Sequence, residues 1–206
     1  MATLTDDLAS QLQGAPVQQV AQQLGIDPSQ ASSAIGAALP LLMGALGRNA
    51  SQPEGAQALF GALQKDHAGG DIGSVLGAVL GGAQGRQADG AGILGHIFGS
   101  RQERAQAGVA QATGLHGGQA NQLLKILAPI VMAYLAKRMF QGNGGQAAGA
   151  NPGALSGVLG QEQQDIRQQG GLGGGLLGAV LDQDGDGQLG LGDLMKIGGG
   201  LLGGRR

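Results

Sequence analysis

The sequence predicts an all-α, multihelical protein. Three observations carry that prediction. Helix-start signals recur, with Asp27-Pro28 and Asn151-Pro152 each setting a capping side chain before a proline at the first helical position. Long, nearly apolar runs follow, with Pro40 inside the first and Pro129 inside the second. Nothing alternates with period two for long enough to form a strand.

In chain order, Asp27-Pro28 opens a helix expected to run to about Gly47. Pro40 lies inside it, lacks an amide proton and should kink it. Ser100-Arg-Gln-Glu103 has capping-box spacing and opens a helix to about Thr113. Leu123 to Ala136 is nearly apolar and carries Pro129 as a second kink. At 14 residues including Lys125, it falls short of the ~20 that a membrane span needs, so a buried helix is expected and no span. Asn151-Pro152 starts a shorter helix near 152–168.

Composition limits what those helices can build. Hydrophobic residues make up 42% of the chain but aromatics only 2%, so the core must consist of Leu, Ala, Ile, Val and Met. Small side chains favour close helix packing over aromatic-lined ligand pockets. With 44 Gly and 6 Pro in 206 residues, helices are expected to be short and joined by Gly-rich linkers. The net charge is −2 and 13% of residues are charged, which leaves no basic face for nucleic acid. The absence of cysteine excludes disulfides and thiolate chemistry. Met1 to Asp7 is acidic and has no apolar signal region, so a cytoplasmic location is expected.

The two halves resemble each other. Val20–Leu46 aligns with Val109–Leu135 without a gap, pairing Gly25 with Gly114, Pro40 with Pro129 and Met43 with Met132. Ala58–Leu63 echoes Ala154–Leu159, and Leu76-Gly-Ala-Val-Leu80 recurs intact as Leu177-Gly-Ala-Val-Leu181. Two tandem helical repeats with kinked, buried central helices are therefore expected. The expected organisation is a multihelical body over 1–140, a Gly/Gln-rich linker over 141–172 holding the short helix, and a metal-binding segment over 173–206.

That last segment contains the strongest motif, Asp182-Gln-Asp184-Gly-Asp186-Gly187-Gln188-Leu189-Gly190-Leu191-Gly192-Asp193. Calcium needs six to eight oxygens at about 2.3–2.6 Å, and a 12-residue EF-hand loop supplies them from fixed positions. Asp182, Asp184 and Asp186 stand at positions 1, 3 and 5, and Gly187 permits the turn at position 6. The Gln188 carbonyl serves position 7, and Asp193 closes position 12. The chain has 14 acids, and four of them crowd into this window without a base. Unpaired, those carboxylates would repel one another, and a cation removes that cost. A solvated acidic turn is the competing reading, because Asp-Gly pairs are ordinary turn formers. Gly190 at position 9 leaves room for a water. Asp193, shorter than the usual Glu, should weaken Ca²⁺ and narrow its advantage over Mg²⁺, to a Kd on the order of 10⁻⁵ to 10⁻³ M. In the first half, the counterpart Gly81–Gly92 has Gly81, Ala83, Gly85 and Gly92 at the ligand positions and cannot bind metal through side chains.

Other patterns point to packing. Val20–Ala31 and Val109–Ala120 have helix-turn-helix spacing, but the would-be recognition helix Pro28–Leu39 has no Arg or Lys for phosphates. His67, His96 and His116 are far apart, and His96, within Ile93–Phe98, is expected to be half-buried. Gly173–Gly178 matches GxGxxG without a preceding strand. No catalytic constellation or small-molecule substrate emerges, so a non-enzymatic protein is expected.

Gly92-Ile-Leu-Gly-His-Ile-Phe-Gly99 followed by Leu123-Leu-Lys-Ile-Leu-Ala-Pro129-Ile-Val-Met132 resembles a bacterial family known as domain of unknown function 937, and is similar to the YidB-like group. The resemblance covers about residues 20–140 and implies a multihelical fold with buried central helices, without an established activity. The acidic loop also resembles dockerin repeats, which have Asp at position 12, although dockerins use two competent loops. The functional expectation is a helical protein that binds Ca²⁺ structurally. The alternative is a self-associating scaffold, homo-oligomeric or joined to another protein, in which the metal is incidental.

Overall fold

The computed structural model describes residues 3–67, 71–83, 85, 88–141 and 150–169. Among these the fold is all-α and multihelical, without strands. Leu4–Gln11 (α1), Ala15–Leu24 (α2), Pro28–Ala50 (α3) and Pro53–Ala62 (α4) come first, and a π-helical turn at Leu63–His67 follows α4. Then come Ile72–Leu80 (α5), Gly90–Phe98 (α6), Gln102–Thr113 (α7), Gly117–Phe140 (α8) and Pro152–Gln169 (α9). The loop Asp182–Asp193 and the whole 173–206 segment lie outside the described residues.

The two aligned stretches share one local plan. α2 ends at Gly25 and α7 at Gly114, both left-handed at φ 65° and 70°, a conformation that glycine adopts without a Cβ penalty. Each then turns into a long helix that runs continuously through its proline. Gln119 joins the two corners, its side-chain amide donating to the Leu24 carbonyl at 3.1 Å.

Several boundaries differ from the sequence expectation. α3 continues past Gly47 to Ala50 because Gly47 is a packing residue: a Cβ there would lie 3.1 Å from the Leu159 carbonyl oxygen of α9. The Asp27 side chain makes no capping bond; Pro28 starts α3, and the Asp27 carbonyl accepts from Ala31 at 2.9 Å. Asn151 does cap, accepting from the Ala154 amide at 2.8 Å. Ser100 lies in a 3-10 turn, Gly99–Arg101, so α7 begins at Gln102 without the expected capping box. A capping box exists instead at Thr3, whose hydroxyl accepts from Asp6 N at 3.1 Å while Asp6 accepts from Thr3 N at 3.2 Å.

α3 and α8 form the centre. Leu39, Leu41, Leu42, Met43 and Leu46 of α3 are fully buried, as are Leu123, Leu124 and Leu127 of α8. α3 is long and apolar enough to cross a membrane, yet 72% of its most apolar window is buried within the protein, as suits a core helix. α9 lies along α3 and α4, and Leu155, Leu159 and Ile166 enter the same core. One aromatic pair, Phe60 and Phe140, packs edge-on at 5.5 Å.

The interior prolines create a specific demand. Pro129 cannot donate to the carbonyl four residues back, that of Lys125. Gly90, the first residue of α6, packs against that carbonyl so closely that a Cβ would overlap its oxygen and lie 2.7 Å from its carbon. Gly36, four residues before Pro40, is exposed and has open space around a built Cβ. Opposite outcomes follow for the same substitution. Gly36→Ala should raise stability by about 1 kcal/mol through helix propensity, whereas Gly90→Ala should lower it by about 1–3 kcal/mol through overpacking. Urea denaturation of both variants checks the pair.

Candidate functional site

The residues expected to hold calcium, Asp182, Asp184, Asp186, Gln188 and Asp193, all lie outside the described residues. Among the described ones, no group of three or more His, Cys, Asp or Glu side chains could hold a metal. The counterpart segment after Leu80 is partly described. Gly82 takes a left-handed turn at φ 70°, and Asp89 accepts from the Gly92 amide at 2.9 Å, capping α6. Its one acid is therefore committed to a helix start.

A buried polar cluster joins α1, α8 and α9. Glu162 is 3% exposed and accepts from Leu4 N at 2.8 Å, Thr5 N at 2.9 Å and the Thr5 hydroxyl at 2.5 Å. Amides at the start of a helix have no partner within it, and a carboxylate there also meets the positive end of the helix dipole. Tyr134, buried on α8, donates to Asp7 at 2.7 Å. Burial first, then this bond, pushes its hydroxyl well above the usual phenolic range, so it holds its proton. Sequence inspection passed over this cluster because its partners are more than a hundred residues apart. One signal was present: Leu155, Leu159, Glu162 and Ile166 share one helical stripe, so a carboxylate sits where a core residue belongs.

The three histidines remain apart. His116 precedes α8 and is exposed, with its amide donating to Gln119 at 3.1 Å. His96 is exposed, not half-buried as expected: on α6 it falls on the face away from Leu94 and Phe98, which fill the core. It stands at the edge of an apolar groove of about 260 Å³ between α4 and α6, where the Asn49 side-chain amide approaches its carbonyl at 3.4 Å. His67, closing the π-helical turn, is 2% exposed, and its Nδ1 has no hydrogen-bond partner. Burial lowers its pKa from the ordinary 6.5, with Asp66 opposing. The helix-turn-helix corners serve packing: Ala31, Ala34 and Ile35 of the would-be recognition helix are buried.

A multihelical body around two buried, proline-bearing helices is what the stretch through α8 builds. The family described as bacterial protein of unknown function (DUF937) matches residues 6–138. The chain belongs to that family. No curated protein and no solved structure matches it. The DUF937 match spans α2 to α7 in full but stops before α9, so Glu162 lies beyond it while the Asp7 that binds Tyr134 lies within.

Two outcomes are expected here. Glu162→Ala strands the Leu4 and Thr5 amides and should cost roughly 1–3 kcal/mol, with a smaller loss for Glu162→Gln; urea titration measures both. For His67 the folded pKa is depressed, so the unfolded chain binds more protons and stability falls as pH drops through 6.5 toward the folded value. Urea midpoints at about pH 7.5 and about pH 5, which bracket the ordinary value of 6.5, should show a smaller decline for His67→Leu than for wild type.

Proposed function

We propose that this DUF937 protein is a non-enzymatic helical protein that binds Ca²⁺ through the loop Asp182–Asp193. The carboxylates of Asp182, Asp184, Asp186 and Asp193 and the Gln188 carbonyl surround the ion, with Mg²⁺ as its competitor. The observation that carries this reading is the spacing. Acids stand at positions 1, 3, 5 and 12 of a 12-residue window, with Gly187 where the turn needs it. Binding relieves the repulsion among four carboxylates and stiffens the C-terminal segment. The weak affinity expected of Asp at position 12 suits a structural ion better than a signal.

Isothermal titration calorimetry of the full chain with Ca²⁺ tests this. Wild type should give saturable heat with a Kd on the order of 10⁻⁵ to 10⁻³ M, and Asp182→Ala/Asp186→Ala should give none. Equal heats from both proteins defeat the proposal.

A further inference from the structure

His67 is a buried titratable side chain with no part in the Ca²⁺ loop. It closes the π-helical turn Leu63–His67, which packs on α8 and against the end of α4. Such turns are rare, and this one is held in place by two buried side chains, Leu63 and His67. We propose that the turn is an acid-released catch: charging the His67 ring frees Leu63–His67 from α8 while the rest of the core stays closed.

Hydrogen bonding makes the closed turn intolerant of charge. A charged imidazole is a donor at both nitrogens. Nδ1 is buried and has no hydrogen-bond partner, so the charged ring places a donor where no acceptor meets it. That donor is costly in the closed turn and is satisfied by water in the open one.

The surrounding charges do not cancel this cost. α4 brings only Glu54, exposed in its first turn. α8 brings Lys125, Lys137 and Arg138, all exposed, and Tyr134, whose hydroxyl is bonded to Asp7. Within the turn Lys65 is exposed, and the half-buried Asp66 favours the charged ring. Burial outweighs Asp66 and lowers the His67 pKa from 6.5.

The release is local because little is buried in the turn. Opening exposes one leucine and one histidine, whereas α4 remains docked through Ala56 and Leu59, and α3 and α8 keep their long buried stretches. Openings that expose so little need far less free energy than global unfolding. The sign follows from the lowered pKa: below 6.5 the open turn binds more protons than the closed one. Opening therefore gains as pH falls from 6.5 toward the closed-turn value, and levels off below it. At about pH 5, about 1.5 pH units below the ordinary value, the gain is at most about thirtyfold.

Amide hydrogen exchange of the full chain, read by mass spectrometry, tests the catch. It is run in EDTA at about pH 7.5 and about pH 5, on either side of 6.5, so the outcome does not depend on the metal loop. Rates are corrected for the intrinsic pH dependence of exchange, and circular dichroism establishes that each protein is folded at both values. In wild type the amides of Leu63–His67 should exchange roughly tenfold faster at the lower pH, with those of Leu39–Leu46 in α3 unchanged. His67→Leu and His67→Gln, neutral at both values, should show no such rise; the second variant serves if the first does not fold. The proposal is overturned if the turn is indifferent to pH in wild type. It is equally overturned if a neutral variant shows the same rise, or if the turn and α3 accelerate together.

Discussion

Two long helices that must both be hidden from water, α3 and α8, set the terms for the rest of the molecule. The middle of each, Ala37–Gly47 and Ile126–Ala136, is enclosed around nearly its whole circumference, and each therefore needs neighbours on every side. α1, α2, α4, α7 and α9 pack on α3, while α5, α6, α7 and the π-helical turn pack on α8. With few aromatics available, this enclosure depends on close approach between backbones. Gly47 lets the α9 backbone come within contact of α3. At Gly90, α6 meets the carbonyl that Pro129 leaves without its helical donor. A larger side chain at either place would push a covering helix away.

Buried polar groups hold the edges of this assembly. Glu162 is tolerated in the interior because its oxygens meet three donors at the start of α1. It thereby fastens α9, which follows the family-matched region, to α1 at the other end of the chain. Tyr134 adds a second link from the central α8 to α1 through Asp7. His67 is the contrasting case: its buried Nδ1 has no partner, and burial of the ring, which disfavours the charged form, lowers its pKa.

Among the described residues, no group of three or more His, Cys, Asp and Glu side chains could hold a metal ion. Glu162, Asp7 and Tyr134 are engaged in hydrogen bonds between helices, and the three histidines stand apart. The described body presents an uncharged groove between α4 and α6, and the metal binding proposed for the chain rests on the spacing of acids in the loop near its C-terminus.

The sequence by itself determined the helical class, the burial of Leu123–Ala136, the glycine ends of α2 and α7, and the start of α9 at Asn151-Pro152. These are local properties, settled by spacing, backbone freedom and the geometry of proline within a few residues. Tertiary structure alone decided that Gly47 packs instead of ending its helix, that Gly90 covers Lys125, and that His96 faces out. It also decided that Glu162 joins α1. Each of these depends on a partner from another helix, and in a chain built largely of Gly, Ala and Leu one stretch carries too little information to name that partner. Position along a helix can show that a residue is buried; only the assembled neighbours show against what.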